Sequence, residues 1–173
     1  MARAEKRPLS LRTKILATLA ICVIGGGIQS LHKWSETHAL MINATDSLPN
    51  WAFLVESGNF PKRGDYVIFH PGYDALTTEY FGDEPEAFAK VAYGVPGDKI
   101  TRRDGSVFVN GERIVSLKPL TRRGDPLAEG PTGTVPDGCV FAATKHKDGF
   151  DSRYEHIGFV CRDRLVGTGR AIL

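Results

Sequence analysis

The sequence predicts a mainly β fold, with one antiparallel β domain that follows a single N-terminal membrane-spanning helix. Three observations lead to this prediction: a long uncharged apolar segment near the N-terminus, short β-rich runs over the rest of the chain, and Gly, Pro and Asp residues between those runs. The chain has 173 residues, 42% hydrophobic and 24% charged, which suits one domain of ordinary size and excludes a disordered or collagen-like chain.

The N-terminal segment has the composition of a signal anchor. Residues 1–14 contain five basic side chains and one acidic one, and residues 15–32 contain no charged side chain when His is neutral. A helix of eighteen residues is about 27 Å long, close to the thickness of about 30 Å of a membrane's hydrocarbon core. A cleaved secretory signal is the alternative, but the best small-residue cleavage site, Thr37-His38-Ala39, lies far beyond the apolar core.

The charge on either side of this segment predicts its orientation. Basic residues favour the cytoplasmic side of an inner membrane, so we expect a cytoplasmic tail over residues 1–14, a span over 15–33 and a periplasmic domain over 34–173. The net charge of +2 divides into +5 over residues 1–33 (six basic, one acidic) and −3 over the rest (16 basic, 19 acidic). A mildly acidic exported domain argues against a nucleic-acid partner.

The exported part has β patterning without a long helical period. Seven runs have strand composition: Tyr66–His70, Lys90–Tyr93, Lys99–Arg102, Val107–Val109, Arg113–Ser116, Val140–Ala143 and Ile157–Arg162. Asn110-Gly111 predicts a hairpin, because both residues tolerate the positive φ of a type I′ turn. Residues 72–88 are a predicted insertion, and residues 118–135 are a second predicted loop, rich in Gly, Pro and Arg. We expect the first to be partly helical around Glu84–Ala89, and both a solvated face and a substrate contact remain open for it.

Two of the three cysteines lie in runs that are predicted to pair. If residues 139–144 and 157–163 pair antiparallel with residue 143 opposite 157, Cys139 faces Cys161, and an oxidising compartment would join them in a disulfide bond. Two buried free thiols are the alternative. The chain has no CxxC or HExxH spacing and its five His residues are scattered, so we expect neither a metal ion nor a cofactor.

Five short motifs occur in order behind the predicted anchor. They are Asn43-Ala44-Thr45-Asp46-Ser47-Leu48-Pro49, Gly64-Asp65-Tyr66-Val67-Ile68-Phe69, Lys90-Val91-Ala92-Tyr93-Gly94-Val95-Pro96-Gly97-Asp98, the hairpin Val107–Glu112, and Asp151-Ser152-Arg153-Tyr154. Together they resemble the signal peptidase superfamily of serine/lysine membrane peptidases, and within it most the conjugal-transfer branch, the TraF-type peptidases that mature pilin subunits. The resemblance runs from about Asn43 to Gly169 and implies a signal-peptidase-like antiparallel β-sheet or barrel domain.

The resemblance also implies the catalytic residues. Ser47 would be the nucleophile and Lys90 the general base, and the Thr45 hydroxyl would join the Ser47 backbone N–H in stabilising the oxyanion. Asp151 would form an ion pair with Arg153 that braces the Lys90 region. A direct role of the aspartate in orienting the base is the alternative.

The Ser47–Lys90 pair has a physical requirement that this sequence can meet. A serine hydroxyl is a weak nucleophile unless a neighbouring base takes its proton, and a lysine is a base only when it is neutral. Because the reference pKa of lysine is about 10.4, the side chain must lie among apolar groups, which lowers its pKa. In a strand, Phe88, Lys90 and Ala92 would share one face, which turns Lys90 inward.

Two departures separate the sequence from general signal peptidases. Val91 stands where those enzymes commonly have an arginine, and residues 143–146 stand where they have Gly-Asp-Asn-Arg. We therefore expect a peptidase that processes a pilin-like propeptide for a conjugative type IV secretion system, with membrane lipid and the pilus machinery as further partners. Hydrolysis and cyclisation of the product both remain open. The alternatives are a general type I signal peptidase and a non-catalytic periplasmic pilus-assembly factor.

Overall fold

The computed structural model describes residues 10–172 as two units, an N-terminal unit that ends at Thr37 and a second unit that begins at His38. The described part of the N-terminal unit is mainly one α-helix, α1 (Leu11–Ser35). Ser10 caps this helix, because its side chain accepts a hydrogen bond of 3.2 Å from the backbone N–H of Thr13. Among the described residues, α1 is the one helix that is long and apolar enough to cross a membrane.

Helix α1 extends beyond both ends of the predicted span over residues 15–33. Its 25 residues correspond to about 37 Å, which exceeds the hydrocarbon thickness of about 30 Å. The last residues of the predicted basic tail are therefore helical, whereas residues 1–9 of that tail lie outside the described residues.

Residues 38–172 form two antiparallel sheets and one short helix. The elements are β1 (His38–Ile42), β2 (Ala52–Ser57), β3 (Tyr66–Phe69), α2 (Ala75–Phe81), β4 (Phe88–Gly94), β5 (Lys99–Arg103), β6 (Ser106–Val109), β7 (Glu112–Ser116), β8 (Gly133–Thr134), β9 (Cys139–Ala143), β10 (Val160–Cys161) and β11 (Leu165–Ala171). The larger sheet has the order β1-β2-β11-β3-β4-β9-β10, and the smaller one has the order β7-β6-β5-β8. The predicted mainly β, antiparallel fold class is confirmed.

Each of the seven predicted runs contains a strand, but the sequence pattern does not reveal β1, β2, β8 or β11. Strand β11 lies between β2 and β3 and yet contains Gly167 and Gly169, which weaken strand patterning. A side chain at Gly167 would place its Cβ 2.0 Å from the carbonyl oxygen of Glu56. The close approach of β2 therefore requires a glycine at the position where propensity argues against a strand.

The predicted hairpin at Asn110-Gly111 is confirmed. Asn110 has a φ of 51° and Gly111 a φ of 86°, and Val109 pairs with Glu112 on either side of the turn. Both φ values are those that a type I′ turn demands. Strands β6 and β7 thus follow each other through a two-residue loop.

The helix predicted around Glu84–Ala89 is wrong, because the helical residues lie earlier in the same insertion, in α2. Asp74 begins α2, since its Oδ1 accepts a hydrogen bond of 2.7 Å from the backbone N–H of Thr77. Gly82, with a φ of 85°, ends the helix. The last two residues of the predicted segment belong instead to β4, where pairing with β3 overrides local helix propensity.

Strand β9 joins the two halves of the core, and all five of its residues are buried. Val140 and Ala142 pack into one apolar cluster, and Phe141 and Ala143 pack into another, because successive strand residues point to opposite faces. Strand β4 is the neighbour of β9 in the larger sheet. The core therefore fixes the strand that carries Lys90.

A disulfide bond joins Cys139 in β9 to Cys161 in β10. The two residues lie directly opposite each other, and Val140 pairs with Val160 beside them. This is the antiparallel register that the sequence predicts for residues 139–144 and 157–163. Cys22, in α1, is a free thiol.

Candidate active site

Strand β4 places Lys90 in the interior of the domain. Val67 of β3 pairs with Lys90, and on the other side Ala143 of β9 pairs with Val91. Only 6% of the Lys90 surface is exposed. Its Nζ lies 5.5 Å from the ring centroid of Phe88, two residues earlier on the same face. The lysine thus points inward instead of extending into solvent.

The surroundings of Lys90 disfavour its charged form. Burial lowers its pKa from the ordinary lysine value and is the dominant cause. The Asp151 carboxylate raises the pKa of Lys90, and the Arg153 guanidinium lowers it. Because these two charges belong to one ion pair, their effects on the pKa of Lys90 oppose each other. Desolvation of Lys90 therefore determines the direction in which its pKa shifts.

Ser47 lies in the loop between β1 and β2, and Asn43 organises that loop. The Asn43 Nδ2 donates hydrogen bonds to the carbonyl oxygens of Leu48 at 3.2 Å and Asn50 at 2.8 Å. Its Oδ1 accepts a hydrogen bond from the backbone N–H of Thr45 at 3.2 Å, which is an Asx turn. Tyr66 of β3 donates through its hydroxyl to Asn50 Oδ1 at 2.7 Å and ties the loop to the sheet.

The nucleophile candidate contacts two of the predicted site residues. Ser47 Oγ lies 3.4 Å from Lys90 Nζ and 2.9 Å from Thr45 Oγ1. The Thr45 hydroxyl donates to Asn43 Oδ1 at 3.1 Å, so in this arrangement the Ser47 hydroxyl donates to Thr45. Thr45 can turn its proton toward a substrate oxygen only by releasing Asn43. The side chains of Asn43, Thr45 and Ser47 form one hydrogen-bonded series that ends at Lys90.

Asp151 and Arg153 form a buried, bidentate ion pair near Lys90. Arg153 Nε donates to Asp151 Oδ1 at 2.8 Å and Arg153 Nη2 to Oδ2 at 2.8 Å, with 1% or less of either residue exposed. Arg153 also donates to the carbonyl oxygens of Ser116 at the end of β7 and Thr144 after β9. The backbone N–H of Thr144 donates to Asp151 Oδ2 at 3.0 Å. The pair therefore fastens the two sheets together next to β4.

Thr144 and Gly149 complete the packing around the ion pair, and sequence patterns do not single them out. Thr144 is buried, and its Oγ1 has no hydrogen-bond partner among the described residues. A Cβ at Gly149 would lie 2.5 Å from Thr144 Oγ1 and 2.8 Å from Asp151 Oδ2. Glycine is thus required at residue 149 for the loop to approach the pair. Among the described residues, no group of His, Cys, Asp or Glu is arranged to hold a metal ion.

Two grooves meet at Ser47. The first, the β1–β4 groove, has a volume of about 580 Å³ and runs between the edge strand β1 and the start of β4, with Lys90 in its wall. The second, the α2 groove, has a volume of about 360 Å³ and lies between helix α2 and the segment 118–127. Thr45, Ser47, Phe81 and Gly149 line both grooves. Part of the predicted insertion 72–88 therefore borders the site.

The chain is similar to several known proteins. A family model described as "Signal peptidase, peptidase S26" matches residues 11–173. The chain is 33% identical over 111 residues to "Probable signal peptidase I-2" of Synechocystis sp., which covers 62% of this chain and 45% of that protein. It is 30% identical over 118 residues to signal peptidase I of Bacillus caldolyticus, which covers 61% of this chain and 58% of that protein.

The chain spans about half the length of the curated relatives it matches. Among solved structures, a signal peptidase I from Enterococcus faecalis V583 is similar, with a TM-score of 0.38 and 24% sequence identity. That similarity covers 64% of this chain and 97% of the other.

Proposed function

Since the chain belongs to the signal peptidase family, peptidase S26, we propose that it is a serine peptidase in which Ser47 is the nucleophile and Lys90 is the general base. One observation carries this proposal: a buried lysine amine lies 3.4 Å from the hydroxyl of a loop serine. Burial supplies the neutral lysine that the chemistry needs, because it lowers the pKa of Lys90. The proximity supplies the path for the proton.

Acylation begins when neutral Lys90 takes the Ser47 proton as Ser47 Oγ attacks the scissile carbonyl carbon. The carbonyl oxygen becomes negatively charged and is stabilised by the backbone N–H of Ser47 and by the Thr45 hydroxyl. The tetrahedral intermediate then expels the amine of the leaving segment, which receives the proton from Lys90. The acyl group remains on Ser47 as an ester.

Deacylation repeats the same proton transfers with water as the nucleophile. Neutral Lys90 takes a proton from the water as its oxygen attacks the ester carbonyl, and Ser47 Oγ leaves with that proton. An amine of the substrate itself, in place of water, would close a cyclic product. The intact mass distinguishes the two outcomes, since a cyclic product is lighter than the linear one by one water.

The substrate is an exported precursor held at the membrane by an apolar segment. Helix α1 anchors the enzyme, with its N-terminus in the cytoplasm and residues 38–172 in the periplasm, as the basic excess before the span favours. Four exposed apolar side chains support contact with lipid: Leu40 and Ile42 on β1, Trp51 just before β2, and Ile172 just after β11. A precursor in the same membrane would meet Ser47 at a high effective concentration.

A narrower candidate is a peptidase restricted to a pilin-like precursor of a conjugative type IV secretion system. Val91 favours it, because this residue packs against an apolar cluster that contains Leu48 and Phe53, whereas general signal peptidases commonly have an arginine at this position. Incubation with several unrelated precursors and one pilin-like precursor separates the two candidates. Cleavage of many precursors supports the general signal peptidase, and cleavage of the pilin-like precursor alone supports the restricted enzyme.

The proposed chemistry is tested with the purified full chain in detergent and a precursor substrate. We expect Ser47→Ala and Lys90→Ala each to lower the cleavage rate by at least about 10³-fold, because the dyad acts as a unit. Ser57→Ala and Lys99→Ala are matched controls on exposed strand residues and should keep the rate of the unaltered chain. Retention of activity in both dyad variants would reject the dyad, and pilus assembly by both would favour a non-catalytic assembly factor.

A further inference from the structure

We propose that the α2 groove binds the segment of the substrate that follows the scissile bond, and that it selects apolar side chains there. The inference rests on the proposed function, because the groove receives substrate only if Ser47 is the nucleophile. It adds a second specificity site, formed by α2 and the segment 118–127, to the site that acylates Ser47.

The arrangement of the two grooves assigns a direction to the substrate. A peptide whose carbonyl carbon is attacked by Ser47 extends away from that residue on both sides of the scissile bond, and the two grooves meet there. Two residues separate the end of α1 at Ser35 from the start of β1 at His38, so β1 is the first strand that follows the proposed membrane span along the chain. The membrane-held segment before the scissile bond therefore enters the β1–β4 groove, and the exported segment occupies the α2 groove.

The α2 groove exposes large apolar side chains on both of its walls. Helix α2 contributes Leu76 and Phe81, and the segment 118–127 contributes Leu120 and Leu127. Phe81 is 39% exposed and Leu120 is 47% exposed. Binding becomes more favourable when a ligand removes apolar surface of this kind from water. The walls thus favour a substrate residue with an apolar side chain.

Three of the four charged side chains that line the α2 groove are paired with one another. Arg122 Nη2 donates to Asp148 Oδ2 at 2.6 Å, and Lys118 forms an ion pair with the other oxygen of the same carboxylate. Lys118 and Arg122 balance Asp46 and Asp148 among the lining residues. The groove therefore offers no net charge with which to select an acidic or a basic substrate.

The groove is formed before substrate arrives, because its two walls are bonded together. Tyr80 of α2 donates its hydroxyl proton to Asp125 Oδ2 at 2.5 Å, and its hydroxyl oxygen also lies 2.7 Å from Thr121 Oγ1. The guanidinium of Arg123 lies 4.5 Å from the centroid of the Tyr80 ring. These contacts join helix α2 to the segment 118–127. A preformed site lowers the entropic loss of binding and favours selection by shape.

The test uses two internally quenched peptides that share an Ala-Leu-Ala sequence before the scissile bond and differ after it, with Leu-Leu in one and Gly-Gly in the other. For the full chain in detergent, we expect kcat/KM to be about 10-fold higher for the Leu-Leu peptide. Leu120→Ala should reduce this ratio to less than about 3-fold without lowering kcat/KM for the Gly-Gly peptide. Tyr73→Ala, on an exposed aromatic residue of the same insertion, is the control and should keep the ratio.

Direct binding gives a second readout that needs no turnover. A free peptide with Leu-Leu at its amino end should bind the Ser47→Ala chain in calorimetry, and Leu120→Asp in that background should abolish the heat of binding, because it places an unpaired carboxylate in the apolar wall. Equal kcat/KM for the two quenched peptides, or an equal loss for both in Leu120→Ala, would overturn the inference. Binding that survives Leu120→Asp would overturn it as well.

Failure of the proposed function has a different signature. If Ser47 is not the nucleophile, the Ser47→Ala chain will still cleave both peptides, whatever the effect of Leu120→Ala on the ratio of their kcat/KM values. If the effect of Leu120→Ala depends instead on the residues before the scissile bond, the direction assigned to the substrate is wrong.

Discussion

Lys90 Nζ and Ser47 Oγ lie 3.4 Å apart although 43 positions separate the two residues in the chain. The lysine is fixed by a central strand with partners on both sides, whereas the serine depends on a loop that the Asn43 side chain closes. The proposed base and nucleophile therefore lie side by side before substrate binds. The proposed mechanism then requires Lys90 to be neutral.

The rate should follow the protonation of Lys90. Because burial lowers the pKa of this lysine, we expect kcat/KM to rise with pH through that lowered pKa and to level off below the ordinary lysine value of 10.5. The measurement is a pH–rate profile of the full chain with a quenched peptide. A rising limb centred at the ordinary lysine value would contradict a buried base.

The ion pair beside the lysine should shift this profile in two opposite directions. Asp151 raises the pKa of Lys90 and Arg153 lowers it, so Asp151→Asn should move the rising limb to lower pH and Arg153→Met should move it to higher pH. The profiles are recorded at low temperature, because leaving one member of a buried pair unpaired destabilises a fold by about 3–5 kcal/mol. If the two variants lose stability but keep the position of the rising limb, the ion pair has a purely structural role.

Lys90 should lower the stability of the fold at neutral pH. A buried lysine with a lowered pKa binds fewer protons in the folded chain than in the unfolded one, so stability rises with pH from the folded pKa up to the ordinary value of 10.5. We expect Lys90→Met to raise Tm at pH 7 and this gain to shrink as the pH approaches 10.5. Lys99→Met, at an exposed lysine, serves as the control and should show no such trend.

The Thr45 hydroxyl should matter more for the transition state than for binding. Thr45→Val keeps the shape of the side chain but removes the donor, and we expect kcat to fall by about 10²-fold with little change in KM. Thr45→Ser should stay within a few-fold of the unaltered chain. If Thr45 only shapes the loop through Asn43, Thr45→Val would lower Tm and raise KM instead.

The fold class could be predicted from the sequence because strand runs, a hairpin turn and an apolar segment are local signals. Strand β11 could not, since Gly167 is required by the close approach of Glu56 of β2, which is a tertiary contact. The sequence pattern predicts the helix too late in the insertion for a related reason. Pairing of Phe88 and Ala89 with β3 claims residues whose composition also suits a helix.

The sequence predicts those site residues that belong to a recognisable motif. It does not predict residues whose role depends only on packing or on tertiary hydrogen bonds. Ser47 and Lys90 stand within recognisable motifs, and the structure places them side by side. Asn43 stands in the same motif, but its role depends on four hydrogen bonds that no spacing reveals. Thr144 and Gly149 carry no motif, and only their approach to Asp151 distinguishes them.

The burial of Lys90 has a consequence for the time at which the peptidase becomes active. In an unfolded chain this lysine is solvated, has an ordinary pKa and carries a proton, so Ser47 has no base. The core that desolvates Lys90 requires β3, β4 and β9 to be paired, and β9 is also held by a disulfide bond to β10. The proposed mechanism therefore implies a proteolytic activity that is latent until the fold is complete.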